Sequence, residues 1–379
     1  MKHRVKIVIG ANYGDEGKGL MSRYFALRFL DDCRKTITVL HNGSAQRGHT
    51  ADYLDGSRHV FHNFGAGAGD GAGTFYADSF LVHPMDFCRE IRELGYVPDV
   101  YCDPKCVVVT PLDMLADQII EDHIESKGKR EYGSCCFGTW SATDRIKEGL
   151  AYTIKDFSEG GFADKMSHLR DYMYRRLLAF GVKPENMPQW KRYFDPDGDW
   201  YTILVLNFRH DVNVFLTYVD ISEFGALWDK CDRFIFEGAQ GLLLDKDVGG
   251  EWTTTSKTGL YNPLRLLDGK KDFDAEVCYV RKTYVTRHGD GPLDGECDKS
   301  EVGDIGIDKT NVFNSFQGGL RFAKDNKRTS DAICKDYEQA SGMGNFIITS
   351  AATHCNEADP YDDCDYMSYS PYSERVVRS

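Results

Sequence analysis

The stretch that decides the fold reads Ile7-Val-Ile-Gly-Ala-Asn-Tyr-Gly-Asp-Glu-Gly-Lys-Gly19, and a helical pattern follows it. The apolar run 5–9 predicts a buried strand, and the glycines that follow predict a tight turn. A strand, a glycine turn and a helix together present backbone N–H groups and the positive end of a helix to an anion. Lys18 adds a point charge suited to phosphate, so the stretch predicts a phosphate-binding turn.

This turn differs from the common P-loop, which would have glycine at position 12 and Ser or Thr at position 19. The chain has Asn12 and Gly19 instead. It also carries an acidic pair, Asp15 and Glu16, where a carboxylate repels phosphate unless it binds the accompanying metal or handles a proton. The alternative is a glycine turn with surface acids, which would leave the Gly-Lys-Gly sequence without a use.

Composition limits the classes of function. The chain has 379 residues, 41% of them hydrophobic, which allows a substantial core in one large domain or two. A net charge of −13 argues against general nucleic-acid binding and predicts small ligands met by local basic groups. With no long apolar run and no signal-like segment, we expect no membrane partner and a cytoplasmic location. The twelve cysteines lack paired zinc spacing, which predicts reduced structural thiols.

Strand and helix patterns alternate along the chain, which favours an α/β fold. We expect strands at 36–40, 74–82 and 107–110, and helices at 84–95 and 112–124. The prediction is one large domain over residues 1–379, with a mostly parallel central sheet, helices on both faces and inserted subdomains. A helical excursion is expected at about 155–225, and a loosely packed polar tail at about 357–379. The glycine-dense stretch 61–73 is either a functional loop or a flexible connection.

Three motifs carry a resemblance to one family. The sequence Gly14-Asp-Glu-Gly-Lys-Gly19 after a strand resembles the N-terminal signature of adenylosuccinate synthetases, ligases that join aspartate to C6 of IMP at the cost of GTP. The loop His41-Asn-Gly-Ser-Ala-Gln-Arg-Gly-His49 is similar to that family's Gly-His-Asn-Ala-Gly-His-Thr loop. The third motif, Phe236-Glu-Gly-Ala-Gln-Gly241, matches the family over about ten positions.

The resemblance implies roles for individual residues. Asp15 becomes the proton acceptor and a Mg²⁺ ligand, His49 the proton donor, Lys18 a catalytic phosphate contact, and the Gly48 carbonyl a second Mg²⁺ ligand. The implied nucleotide-binding residues are Gly14, Glu16, Gly17, Gly19, Gln46, Ser134, Gln240, Thr255 and Arg321. The implied partners are a purine nucleoside monophosphate, a nucleoside triphosphate, L-aspartate and a second copy of the chain. Family members lend an arginine across that dimer interface, and Arg145 is the nearest candidate although its spacing does not match.

The chain departs from the family pattern in several places. Cys135 stands where a phosphate-contacting threonine is expected. In place of an arginine-rich loop that grips aspartate and ribose, the chain has Lys309-Thr-Asn311, with Arg321 as the only nearby arginine. The stretch 345–354 lacks the Thr-Lys-x-Asp motif that reads guanine, which makes GTP the less favoured donor.

Together these departures resemble the phage-type branch of the family, which acts on dGMP and would work in the host cytoplasm. Asp15 opposes this interpretation, because phage members often carry a smaller residue there. We expect dGMP as acceptor with ATP or dATP as donor. The alternatives are an ordinary synthetase using IMP and GTP, and a P-loop-like kinase or nucleotide switch, which would give Glu237 and Gln240 no role.

Overall fold

The computed structural model describes residues 2–29, 35–126, 134–248, 252–303, 318–341, 346–355 and 363–379. The strands are β1 (His3–Gly10), β2 (Thr36–Leu40), β3 (His49–Asp52), β4 (Arg58–Phe61), β5 (Gly73–Tyr76), β6 (Val100–Cys102), β7 (Asp220–Ile221), β8 (Arg233–Glu237), β9 (Phe273–Lys282), β10 (Val285–Arg287), β11 (Glu296–Cys297), β12 (Arg321–Ala323), β13 (Phe346–Thr353), β14 (Tyr366–Met367) and β15 (Val377–Arg378). The helices are α1 (Lys18–Phe29), α2 (Pro84–Leu94), α3 (Pro111–Ser126), α4 (Thr139–Lys147), α5 (Ile154–Ser158), α6 (Phe162–Ala179), α7 (Pro188–Phe194), α8 (Asp199–Tyr218), α9 (Phe224–Trp228), α10 (Tyr261–Leu267) and α11 (Arg328–Glu338).

The central sheet has the strand order β15-β14-β13-β9-β1-β8-β2-β5-β6-β7. Neighbouring strands pair parallel, except β14 with β15. A two-stranded hairpin, β3 with β4, and a three-stranded sheet, β10-β12-β11, lie outside it. The expected α/β class with a mostly parallel central sheet is therefore confirmed.

Strand β1 shows why the sheet is covered on both faces. Its apolar run is almost wholly buried, as is usual for a central parallel strand. Ile7 packs in a cluster with residues of α9, α10 and α11, whereas Val8 packs with Met21 and Phe25 of α1. Because successive side chains of a strand point to opposite faces, helices lie on both faces of the sheet.

The stretch from α4 to α9 is mostly helical. Apolar residues of α6 and α8 share the largest core cluster with α2 and α3, so these helices cover the β2–β6 half of the sheet. The expected strand at 107–110 is wrong: Val107 and Val108 form only isolated bridges, to Thr153 and Val82. The strand expected at 74–82 ends at Tyr76 as β5.

The C-terminal segment differs from the expected loosely packed tail. Residues 363–379 contain β14 and β15, which extend the sheet beyond β13. Tyr366 is buried, and its hydroxyl donates to Glu276 Oε1 at 2.7 Å. The buried Arg23 of α1 binds Glu374 and Asp70, so this segment is fixed to the first helix.

In the described ranges, no helix is long and apolar enough to cross a bilayer. The described cysteines are all free, and Cys33 lies outside the described residues.

Candidate active site

The glycine turn connects β1 to α1 at the carboxyl edge of the sheet. Gly14 and Gly17 have φ of 103° and 93°, a region that residues with a Cβ rarely adopt. Asp15 between them has φ of 62°, and strain of this kind in a non-glycine residue is concentrated at functional sites. A Cβ placed on Gly19 would lie 2.9 Å from the Cβ of His49, so this glycine lets β3 approach the start of α1. The turn and His49 therefore lie side by side.

The side chain of Glu16 stabilises the turn through hydrogen bonds to its own backbone and to Lys18. Its Oε1 accepts from the backbone N–H groups of Asn12 at 3.0 Å and Gly14 at 2.7 Å, and Lys18 Nζ donates to Oε2 at 2.7 Å. Both charged side chains are almost fully buried. The side chain of Glu16 was expected to contact nucleotide, but here it occupies donors of the turn because its carboxylate folds back onto them.

Asp15 has a cationic partner that the motifs did not reveal. Lys282, the last residue of β9, donates to Asp15 Oδ2 at 2.5 Å, and the lysine is almost fully buried. Parallel strands end at the same edge of the sheet, so the end of β9 meets the turn that follows β1. The available signal was a lysine two residues after the buried apolar run 277–280.

His49 lies in a buried charged cluster with Arg47 and Glu237. Its Nδ1 is 2.7 Å from Glu237 Oε1 and 3.0 Å from Arg47 Nη2, and Arg47 also donates to Glu237. The backbone N–H of Ala66 donates to Glu237 Oε2 at 3.0 Å, so the glycine-dense stretch after β4 contributes to the cluster. Arg47 occupies the alanine position of the family loop, and its contact with His49 was not foreseen.

The charges in this cluster follow from burial and proximity. Burial and the neighbouring Arg47 lower the pKa of His49 to about 4, with Glu237 acting in the opposite direction. Burial opposes ionisation of Glu237, but Arg47 and His49 overcome it and hold its pKa well below the ordinary value. At neutral pH His49 is therefore neutral beside an ionised Glu237.

The loop after β8 closes the other wall of the site. Ala239 exchanges hydrogen bonds with the Asn42 side chain at 2.8 and 2.9 Å, which ties this loop to the loop after β2. A Cβ on Gly241 would meet the Asn12 carbonyl oxygen at 2.3 Å, so this glycine permits contact with the turn. Gln240 has φ of 63°, and its buried Oε1 has no hydrogen-bond partner among the described residues. Such an amide is placed to bind a ligand edge.

Hydroxyl groups gather around the start of α4. Thr139 Oγ1 donates to Gln46 Oε1 at 3.2 Å, and Thr255 Oγ1 lies 3.4 Å from Thr143 Oγ1. Ser134, just before this helix, is held by Glu121 and by the N–H of Cys136. The structure thus brings two predicted nucleotide-binding residues, Gln46 and Thr255, to one helix.

The family assignment now has direct support. The model of the family described as adenylosuccinate synthetase matches residues 7–311. The chain belongs to the adenylosuccinate synthetase family. This membership leaves no support for a P-loop-like kinase or nucleotide switch, since the match extends through the Glu237–Gln240 motif.

Curated relatives agree with this assignment. The adenylosuccinate synthetase of Shouchella clausii is 28% identical over 314 residues, covering 79% of this chain and 66% of the relative. That of Halothermothrix orenii is also 28% identical, covering 83% of this chain and 70% of the relative. The chain therefore spans about two thirds of the length of the synthetases that it matches.

Two solved structures share the fold. Fully ligated adenylosuccinate synthetase from Plasmodium falciparum aligns with a TM-score of 0.64 at 20% identity, covering 92% of this chain and 76% of the other. The succinoaminodeoxyadenylate synthetase of cyanophage S-2L, bound to dGMP and dATP, aligns with a TM-score of 0.63 at 13% identity. That alignment covers all of this chain and 96% of the phage enzyme.

Arg145 and Arg321, the two arginines that the resemblance to synthetases singled out, both bind groups within this chain. Arg145 is fully buried and pairs with Asp113 at 2.8 Å, so it does not extend from the subunit surface to a partner. Arg321 binds Glu296 and the carbonyl oxygens of Gly289 and Gly291. Its expected nucleotide contact stays a prediction and would require these bonds to exchange.

The end of β13 also contacts the turn. Thr353 Oγ1 donates to the Glu16 carbonyl oxygen at 2.8 Å, and His354, with φ of 59°, accepts from the Thr283 hydroxyl through its carbonyl. This is where synthetases carry the guanine-reading motif. Asn345, the loop Lys309–Asn311 and Gly133 lie outside the described residues.

A magnesium site of the expected type fits the donors. In the described part of the chain, no three His, Cys, Asp or Glu side chains gather as a metal cage. Magnesium usually takes one or two carboxylates and completes its shell with water and substrate phosphates. Asp15, a quarter exposed at the turn, offers such a carboxylate, and Lys282 offsets part of its charge.

Proposed function

We propose that this chain is a carbon–nitrogen ligase that joins L-aspartate to C6 of a 6-oxopurine nucleoside monophosphate and hydrolyses a nucleoside triphosphate. A 6-phosphoryl purine is the intermediate. The observation that carries the proposal is the contact between the glycine turn, with Asp15 and Lys18, and the buried cluster of His49 with Glu237. Membership of the adenylosuccinate synthetase family supports it.

The first half-reaction moves a proton and a phosphoryl group. Asp15 accepts the N1 proton, which lets the O6 oxygen attack the γ-phosphate of the donor. Lys18 and the N–H groups of the turn stabilise the phosphate charge once Glu16 releases them. When bound, Mg²⁺ would be held by Asp15 and the Gly48 carbonyl, and it would neutralise phosphate charge.

His49 is placed in this scheme to donate a proton from Nε2. Its Nδ1 carries a proton that it donates to the ionised Glu237 at 2.7 Å, so Nε2 is protonated first, which gives an imidazolium that Glu237 stabilises, and then donates to the oxygen that departs from the γ-phosphate. General acid–base help of this kind is worth about 10²–10⁴-fold in rate. The amine of aspartate then displaces phosphate from C6.

The favoured acceptor is dGMP, giving N6-succino-2-amino-deoxyadenylate, with ATP or dATP as donor. The absence of the guanine-reading motif at the end of β13 supports an adenine donor. The phage enzyme, which was solved with dGMP and dATP, is matched over 96% of its length and supports the acceptor. IMP with GTP is the second candidate, because the curated relatives are ordinary synthetases and Asp15 is retained.

We also propose that the chain forms a homodimer and acts in the cytoplasm, which for a phage protein is the cytoplasm of the host. The buried Arg145 means that any arginine shared across a dimer must come from another position.

The test is phosphate release with L-aspartate, crossing IMP, GMP and dGMP with ATP, dATP and GTP. We expect release to require both aspartate and a monophosphate, with dGMP and an adenine donor giving the highest kcat/KM. The Asp15→Asn and His49→Asn variants should each lose at least about 10²-fold in rate while remaining folded by circular dichroism. Higher kcat/KM for IMP than for dGMP would assign the chain to the ordinary synthetases. Release that ignores aspartate would overturn the ligase proposal.

A further inference from the structure

The helices that follow α5 form a cavity with no role in the proposed mechanism. It lies between α6 and the end of α7, and its volume is about 360 Å³. This volume falls within the range of about 300–1,000 Å³ that small-molecule sites occupy. The described residues that line it are Arg170, Asp171, Tyr174, Arg175, Phe194 and Pro196. None of them belongs to the glycine turn, to the cluster around His49 or to the loop after β8, so the cavity is separate from the candidate active site.

The α6 side of the cavity is basic. Arg170 is mostly buried, and its Nε and Nη2 donate to Asp171 Oδ1 at 3.1 and 2.7 Å. The one carboxylate among the described lining residues is therefore paired with Arg170. Arg175, one helical turn after Asp171, is exposed and has no hydrogen bond or ion pair within the described part of the chain. The cavity thus presents one guanidinium whose charge is not compensated, that of Arg175.

The α7 side of the cavity is apolar. Phe194 is the last residue of α7, and its ring is fixed because it packs in the largest core cluster. Pro196 lies in the loop before α8, and Tyr174 adds an aromatic ring from α6. Aromatic side chains stack on nucleic-acid bases, whichever the base, because every base has a planar π-face. A guanidinium binds phosphate through several N–H groups at once. The two sides together suit a ligand with one planar ring and one phosphate.

We propose that this cavity binds a nucleoside monophosphate, at a site distinct from the two nucleotide sites of the proposed mechanism. Arg175 donates to the phosphate, and the base lies between Tyr174 and the apolar side formed by Phe194 and Pro196. One uncompensated guanidinium matches one phosphate group. A triphosphate is disfavoured, because its extra negative charge would meet Asp171 and a chain with a net charge of −13.

Photoaffinity labelling with azido-AMP locates the site directly. In the wild-type chain we expect label on α6, on α7 or on the loop after α7, identified by mass spectrometry of the peptides. Arg175→Gln should need about tenfold more probe for half-maximal labelling of this region, which corresponds to about 1.4 kcal/mol of binding. The variant should keep its fold, because Arg175 is exposed.

Arg209→Gln is the matched control for the loss of charge. Arg209 is an exposed arginine of α8 and is not among the residues that line the cavity. Its substitution should change the half-maximal probe concentration by less than about twofold. Because the position of the label is the measurement, the result does not depend on whether the chain is a ligase, and label at the glycine turn is counted separately.

Competition identifies the chemistry of the ligand. Unlabelled AMP should protect the region from labelling, whereas adenosine and inorganic phosphate at the same concentration should not, since each lacks one of the two groups. Equal protection by inorganic phosphate would reduce the cavity to a simple anion site and overturn the proposal. Equal protection by adenosine would overturn the role of Arg175. An absence of label on α6, α7 and the loop after α7, or labelling of Arg175→Gln equal to that of the wild type, would overturn the site itself.

Discussion

At the scale of single residues, Glu237 balances the charge of the candidate site. It is fully buried, and it binds Arg47, His49 and the N–H of Ala66. Arg47 is almost fully buried, and its Nε and Nη1 have no hydrogen-bond partner among the described residues. The charge of Arg47 therefore depends on this one carboxylate.

We predict that Glu237→Gln lowers the free energy of unfolding by about 3–5 kcal/mol, the usual cost of leaving a buried charge without its partner. Urea denaturation followed by circular dichroism measures it. The control is Glu159→Gln, just after the end of α5, where an exposed pair with Lys155 at 3.8 Å is worth about 0.5 kcal/mol or less. A loss for Glu237→Gln no larger than for the control would show that Arg47 finds another acceptor.

The sequence was sufficient to select Asp15, Lys18 and His49 as candidates, because each lies in a short motif whose spacing has a chemical meaning. It was not sufficient for Lys282, which reaches Asp15 only because β9 pairs with β1. The role of Arg47 could not be predicted for another reason. The family has alanine at this position, and sequence spacing does not indicate the partner of a single buried arginine. The bracing role of Glu16 depends on the backbone path of the turn, which a motif does not contain.

At the scale of elements, the segment 363–379 holds α1 against the sheet. The ring of Tyr366 packs edge-on against Tyr24 and Phe25 of α1, with centroids 5.6 and 5.5 Å apart. Glu374 and Asp70 together bind the guanidinium of Arg23 from two directions. Since α1 begins at the glycine turn, this segment also helps to fix the position of the candidate site.

We predict that Tyr366→Ala costs about 3–5 kcal/mol of stability, because it removes a buried ring and leaves a cavity against α1. Tyr369→Ala is the matched control from the same segment: its side chain is 38% exposed, and its removal should cost about 1 kcal/mol or less. Thermal unfolding of both variants checks the difference. Equal melting temperatures would mean that α1 is held by the sheet alone.

The sequence predicted the elements with strong local patterns, such as α2, α3 and β2. It failed for residues 363–379, whose two strands have only two residues each, too few to show a pattern, and which are held in place by contacts of Tyr366 and of Arg23. It failed at 107–110 because an apolar β-branched run fits a buried loop as well as a strand. The order of the strands around β1 could not be predicted, because strand pairing depends on contacts between residues that are distant in the chain.

At the scale of the whole molecule, buried histidines couple stability to pH. The ring of His41 is fully buried, and neither ring nitrogen has a hydrogen-bond partner among the described residues. Burial and the neighbouring Arg47 lower the pKa of His41 to about 3, while Glu237 opposes them. In the unfolded chain this pKa is about 6.5, so below that pH the unfolded state binds the extra proton. The stability that neutral His41 provides is complete above about pH 6.5 and is lost as pH falls.

We predict that His41→Gln makes stability less dependent on pH. Between about pH 7 and about pH 5, the wild-type chain should lose about 2 kcal/mol more than the variant, since one proton is worth about 1.4 kcal/mol per pH unit. Urea denaturation at the two pH values gives the difference. His168→Gln, at an exposed position on α6, should behave as the wild type does. Parallel curves for wild type and His41→Gln would mean that His41 titrates normally.

The place of β1 in the middle of the sheet has a consequence during synthesis. Its two neighbours, β8 and β9, begin at Arg233 and Phe273, more than 200 residues after β1 ends. At about 5–20 residues per second, the ribosome takes roughly 10–45 s to deliver the first of them. For that time neither edge of β1 has its native strand partner, and an unpaired apolar strand of this kind is prone to aggregate. The glycine turn, which follows β1, is thus among the first parts to leave the ribosome and among the last whose neighbouring strands are complete.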